Sequence, residues 1–119
     1  MSTIKENVEQ LNNMILQGEI LNAFDQYYAE EVTMQDNDNP VRQGKKECRK
    51  FEEEFVNNLS EFRGAKVKNV MISEDAGVAA VEWDFDYTHN EWGERNYTQV
   101  SVQQWKDGKI VSEQFLYNS

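Results

Sequence analysis

The segment Trp105-Lys106-Asp107-Gly108-Lys109-Ile110 constrains the fold more tightly than any other part of the chain. Asp-Gly accepts the positive φ angles of a two-residue type I′ turn, so the residues on either side are driven to pair as an antiparallel hairpin. With Lys106 opposite Lys109, this register predicts Val102 opposite Glu113, Val100 opposite Phe115 and Thr98 opposite Tyr117, all on one side of a sheet. A second turn at Glu91-Trp92, with Asn90 opposite Gly93, brings Val81, Trp83, Phe85 and Tyr87 to that same side. The expected face is apolar except for Glu113. The opposite face is expected to carry Glu82, Asp84, Asp86, Gln99, Ser101, Gln103, Ser112 and Gln114, interspersed with Tyr97, Trp105 and Leu116. Aromatics among uncharged polar side chains suit a protein contact, which makes this second face the expected homodimer surface.

The pattern predicts strands over residues 66–73, 78–88, 96–105 and 110–117, and a short one over 32–36. Upstream, the apolar period is that of helices. Ile4, Val8, Leu11 and Ile15 form one stripe, with Ser2 or Thr3 available as N-cap; Ile20, Ala23, Phe24 and Tyr27 form a second beyond Gly18. The longest stripe, Cys48, Phe51, Phe55, Leu59 and Phe62, predicts a long helix over residues 44–62, with Glu52, Glu53 and Glu54 directed mostly elsewhere. The six glycines and the single proline fall where the period changes, and no linker, repeat or low-complexity tract interrupts the chain. Helices that cover one apolar sheet face make an α+β layer packing, in the order α-α-β-α-β-β-β-β, as a single domain over residues 1–119.

Composition then removes several function classes. With 22 acidic residues against 12 basic ones the net charge is −10, which would repel nucleic acid and anionic membranes. No run approaches the ~20 apolar residues of a membrane span, and the N-terminal residues lack the apolar stretch of a secretory leader. One cysteine, Cys48, cannot form an internal disulfide, and with one histidine it cannot build a closed zinc site. A reducing cytoplasm, with no metal and no cofactor, is the expected setting. The Asp36, Asp38 and Glu47 spacing does not make a calcium loop, because Val41 stands where the sharp-turn glycine belongs and Pro40 occupies a ligand position.

The element order resembles the nuclear transport factor 2-like superfamily and, within it, the SnoaL-like branch. The motifs that carry the likeness are Tyr27-Tyr28-Ala29-Glu30-Glu31-Val32 leading into the first strand, Gly44-Lys45-Lys46-Glu47 opening the long helix, and Trp105 to Glu113 as the final hairpin. The resemblance spans nearly the whole chain. It implies a curved antiparallel sheet wrapped as a cone around the long helix, a pocket between the two, and a homodimer. It implies no one function, since such folds host isomerases, cyclases, dehydratases, carriers and docking modules.

Two carboxylates are the candidate catalytic residues. Glu113, alone on an apolar face, would be desolvated and its pKa raised toward neutrality, as proton transfer at pH 7 requires; it could equally be a structural acceptor for Trp83, a tyrosine or an arginine. Asp36 matches, by resemblance to ketosteroid isomerases, the aspartate that moves the proton; the bland reading is a turn residue in Asp36-Asn37-Asp38-Asn39-Pro40. The tyrosine and protonated aspartate of that family's oxyanion hole have no counterparts, because Leu11 or Asn12 and Val100 or Val102 fall there. SnoaL-like cyclases commonly end their last strand on an aspartate; Asn118 stands at the comparable place here. His89 reads as a turn residue or as the mouth of a pocket, and the basic cluster Arg42, Lys45, Lys46, Arg49 and Lys50 as solvated helix pairs such as Arg49–Glu53 and Lys50–Glu54, or as an anion receiver.

Two readings follow. The first is a domain that binds a small apolar or amphipathic molecule on Phe55, Trp83, Phe85, Tyr87, Val100, Phe115 and Tyr117, with Asp36 or Glu113 as base for proton transfer, isomerisation or cyclisation. The second is a dimeric binding or interaction module without chemistry, whose aromatic face is filled core.

Overall fold

The computed structural model describes residues 2–118. Helix α1 (Ile4–Leu16) begins at a capping box, in which the Thr3 side chain accepts from the Glu6 backbone N–H and the Glu6 carboxylate accepts from the Thr3 backbone N–H. A second carboxylate reinforces this end: Glu74, remote in sequence, accepts from the Ile4 and Lys5 N–H groups at 3.1 Å each. Helix α2 (Ile20–Tyr27) follows, with Ala23 and Phe24 buried, and passes directly into strand β1 (Tyr28–Asp36). Strand β2 (Arg42–Gln43) and helix α3 (Lys45–Asn57) come next, then strands β3 (Leu59–Ser73), β4 (Val78–His89), β5 (Gly93–Lys106) and β6 (Lys109–Tyr117).

The six strands form one curved, open sheet in the order β2-β1-β6-β5-β4-β3. β1 runs parallel to β6, so the sheet is mixed, whereas the sequence led us to expect it wholly antiparallel. Register shifts in the β1–β6, β3–β4 and β5–β6 pairs curl it, because each surplus residue bends a strand and increases its twist. The three helices lie against the concave side, and the core between them holds Val8, Leu11, Phe24, Val32, Cys48, Val81, Trp83 and Ile110. No helix among the described residues is long and apolar enough to cross a membrane.

Three further expectations need correction. The long helix ends at Asn57, and Leu59 and Phe62 belong to β3, where a bulge between Leu59 and Glu61 leaves these two covered residues three apart, the spacing of a continuing helical stripe. Strand β2 was not expected at all; it is two residues long. The third correction concerns register. Lys106 does pair with Lys109 and Trp105 with Ile110, but Gln104 then pairs with Ser112, leaving Val111 as a bulge. At the other end of β5 the loop has three residues, since His89 rather than Asn90 pairs with Gly93. Each effect shifts the pairing by one residue, so β4 and β6 keep their expected faces and β5 is reversed between them. Tyr97, Gln99, Ser101, Gln103 and Trp105 point to the concave side, and Val100 and Val102 lie on the convex one with Glu82, Asp84, Ser112 and Leu116.

Candidate functional site

Between the concave face and the helices lies a cavity of about 500 Å³. Leu11, Ile15, Ile20 and Phe24 from α1 and α2 wall one side, and Phe51 and Phe55 from α3 another; Trp83, Phe85 and Tyr87 from β4 and Phe115 and Tyr117 from β6 supply the sheet side. Of the ligand-binding residues expected from sequence, Phe55, Trp83, Phe85, Tyr87, Phe115 and Tyr117 line this space. Val100 does not, because the bulge and the longer loop place it on the convex face; Gln99 and Ser101 are in its stead.

The floor is polar. Glu113 is buried, at 3% exposure, and each of its oxygens is occupied: the Tyr28 hydroxyl donates to Oε1, and Gln103 Nε2 donates to Oε2 at 3.0 Å. The orientation of the Gln103 amide follows from its neighbour. The Trp105 indole can only donate, and it donates to Gln103 Oε1 at 3.0 Å, which turns the amide nitrogen toward Glu113. Desolvation pushes the Glu113 carboxyl up to about 7, against the two donors, which favour its charged form. Tyr28, whose ring stacks on Phe24 at 4.6 Å, has its hydroxyl pKa raised well above the usual value by burial and by the facing carboxylate.

Asp36, the last residue of β1, also reaches the cavity wall, and no turn hydrogen bond occupies its side chain. Oδ1 accepts from Arg42 Nη2 at 3.0 Å and Oδ2 from the Tyr117 hydroxyl at 2.6 Å. The Arg42 guanidinium is in turn stacked 3.8 Å from the Phe51 ring centroid, which fixes it inward, away from the surface cluster expected from sequence. Arg49, on the other face of α3, does pair with Glu53 as expected and also with Asp25 at 2.7 Å.

A third acid went unnoticed in the sequence. Glu52 lines the same cavity, and its carboxyl is pushed up to about 7, first by desolvation and then by the charge of Glu113. The signal was available: Glu52 lies four residues after buried Cys48 and three before Phe55, hence on the inward face of α3. Arg42, Arg95, Tyr28 and Gln103 were also missed. Tyr28 has the parity of the inward-facing Val32 and Met34, whereas Gln103 and Arg95 were hidden by the reversed β5. His89 is buried at 3% exposure, stacked on Trp92 at 3.9 Å with the Phe55 ring 5.9 Å away, rather than solvated in a turn; its Nδ1 accepts from the Glu91 N–H at 3.1 Å. Among the described residues no three histidine, cysteine, aspartate or glutamate side chains converge closely enough to hold a metal ion.

Chemically, then, the cavity offers apolar walls, one acid held by two neutral donors, one acid without a hydrogen-bond partner among the described residues, and an arginine-paired aspartate. That arrangement supports exchange of a proton with a bound organic molecule near neutral pH.

Comparison with known proteins fits this architecture. A family model described as SnoaL-like domain matches residues 8–113. No curated protein sequence matches the chain. Among solved structures, one described as a candidate SnoaL-like polyketide cyclase from Mesorhizobium loti is similar at a TM-score of 0.83 and 24% identity, over 96% of this chain and 98% of that one. An NTF2-like protein of unknown function from Burkholderia pseudomallei gives a TM-score of 0.81 at 15% identity, over 99% and 92% of the two chains. A candidate isomerase from Bacillus subtilis gives 0.78 at 17% identity, over 95% and 84%. At these identities the likeness is one of fold.

Proposed function

The chain belongs to the SnoaL-like domain family, and on that footing we propose that its cavity binds a small, largely apolar molecule and that Glu113 moves a proton on it. The observation that carries this reading is the placement of Glu113: a carboxyl group beneath an apolar cavity, held by Tyr28 and Gln103, with its pKa brought to about 7 by desolvation. A base of that strength is half-charged at neutral pH, where general acid–base transfer is most effective. In its carboxylate form Glu113 takes a proton from a carbon beside a carbonyl group. The electron pair of that C–H bond moves onto the carbonyl oxygen, and the acid returns its proton to a second carbon, completing an isomerisation. Glu52, with no hydrogen-bond partner among the described residues and a similarly raised carboxyl, is the group suited, in its protonated form, to donate a hydrogen bond to the carbonyl oxygen while it carries the charge. Asp36, unlike Glu113, faces a cation: its ion pair with Arg42, with the Tyr117 hydroxyl on its other oxygen, suits it to fixing those two side chains rather than to acting as base.

The test is a carbon-detected titration of the glutamate carboxyl groups. Glu113 is expected to titrate near pH 7, and saturation with the neutral probe 4-phenylbutanamide should move both that midpoint and the ring signals of Trp83 and Phe85. A midpoint at the ordinary carboxylate value, or ring signals that ignore the probe, would overturn the reading.

The non-catalytic alternative shares the cavity and differs only in leaving Glu113 without a chemical role. In either case we assign the convex face to a homodimer contact: Leu116, exposed at 42%, sits there beside Val100 and Val102, an apolar patch on an otherwise acidic surface. The single cysteine is buried on α3, its thiol pushed up to about 11 mainly by desolvation, which agrees with a structural cysteine and with the proposed cytoplasmic setting.

A further inference from the structure

Among the described residues, three buried polar side-chain atoms lack a hydrogen-bond partner, and all three belong to the cavity wall: Asn12 Oδ1, Arg42 Nε and Arg95 Nε. Arg42 is nevertheless neutralised by Asp36. Arg95 is not. Of the four arginines in the chain, Arg42, Arg49 and Arg63 each pair with a carboxylate, whereas Arg95 pairs with none among the described residues. Its guanidinium lies 4.9 Å from the centroid of the Tyr97 ring. It is therefore a cation held at the cavity on an aromatic face, with its hydrogen-bonding edge unspent.

Next to it stands a second set of unspent donors. The Tyr87 and Tyr97 hydroxyls lie 2.7 Å apart and share one hydrogen bond, so one of the two hydrogens remains free for a third oxygen. The acids of the floor do not serve Arg95. Asp36 is already committed, and Gln103, the partner of Glu113, is eight residues away along β5. Burial also drives Glu52 and Glu113 toward their neutral forms.

We propose that Arg95, together with the Tyr87–Tyr97 hydroxyl pair, anchors a carboxylate of the ligand, so that the cavity takes an amphipathic organic acid whose apolar body lies on Trp83 and Phe85. The inference rests on the reading of this cavity as a ligand site and names the class of molecule for it. A single carboxylate matches the planar fork of the guanidinium. A phosphate would carry up to twice the charge into a space already lined by three acids.

The test compares 4-phenylbutanoate with its neutral isostere 4-phenylbutanamide, by calorimetry and by chemical-shift mapping, on the wild-type protein and on R95Q, R95K and Y97F. The wild type is expected to bind the acid about tenfold or more tightly than the amide, as a desolvated charge-assisted pair requires. R95Q should abolish that preference by weakening the acid far more than the amide, R95K should restore part of it, and Y97F should reduce it. Thermal melts of each variant confirm that the fold is intact. Equal affinity of the wild type for acid and amide would overturn the inference and leave the cavity reading standing. Binding of neither probe would overturn both. A preference for the acid that survives in R95Q would also overturn it, since the anchor would then lie elsewhere.

Discussion

At the scale of single residues, Glu113 sets the relation between stability and pH. In the unfolded chain its carboxyl loses a proton near 4.5, while in the fold it keeps it to about 7. Between those values the folded state holds the extra proton, so stability falls as pH rises through the window, and the loss is complete above about 7. The difference corresponds to about 3 kcal/mol for this fully buried group. E113Q, which retains an acceptor for Tyr28 but cannot ionise, is therefore expected to gain about 2 to 3 kcal/mol relative to the wild type between pH 5 and pH 8. Urea unfolding at the two pH values measures this; parallel stability profiles for the two proteins would show that Glu113 carries no such strain. The residual slope in E113Q belongs to Glu52, whose shift has the same sign and a smaller effect because the side chain is less deeply covered.

At the scale of elements, the turns decide what faces what. Gly77, with φ at 72°, closes the β3–β4 turn, and a Cβ there would stand 3.0 Å from the Trp105 carbonyl oxygen. Gly18, with φ at 82°, has open space around it. G77A should therefore cost about 2 kcal/mol or more, and G18A about 1, the conformational component alone. Chemical denaturation of the two variants reports the order, and equal losses would contradict the contact. The same attention to turns explains how much was legible in the sequence. Helices α1 and α2, the order of the elements apart from β2, and the faces of β4 and β6 were legible in the sequence. The lining of β5 did not, because alternation has a period of two and a single unpaired residue inverts it. Val111 and the extra loop residue are such residues, and nothing in their chemistry marks them: valine fits a regular strand as well as a bulge. Glu113 was found because the two one-residue shifts add to two and so restore its inward parity, and Gln103 and Arg95 were lost because only one shift separates β5 from each neighbour.

At the scale of the molecule, charge and exposed apolar area pull in opposite directions. A net charge of −10 keeps copies apart, so a lasting contact between them requires a patch where burial outweighs repulsion. The convex patch around Leu116 is the proposed one. Wild-type protein is expected to sediment at twice the 14.0 kDa chain mass, and L116E at the chain mass with unchanged helix and strand content. A wild-type monomer would remove the proposed homodimer, and a dimeric L116E would move it to another surface. Raised salt should strengthen the assembly, since screening weakens the repulsion and leaves the apolar contribution in place.

The surplus residue at Val111 has one more consequence. If β6 slid by a single notch against β5 so that the strands ran without it, Ser112 and Gln114 would turn into the chamber and Glu113 would swing out to the solvent wall beside Val102. No substitution is needed for such a change, only a different phase between two ribbons. The acid's presence inside is thus a matter of alignment as much as of composition, and a relative that gained or lost one position in this hairpin could share nearly every side chain while holding a chamber with no base.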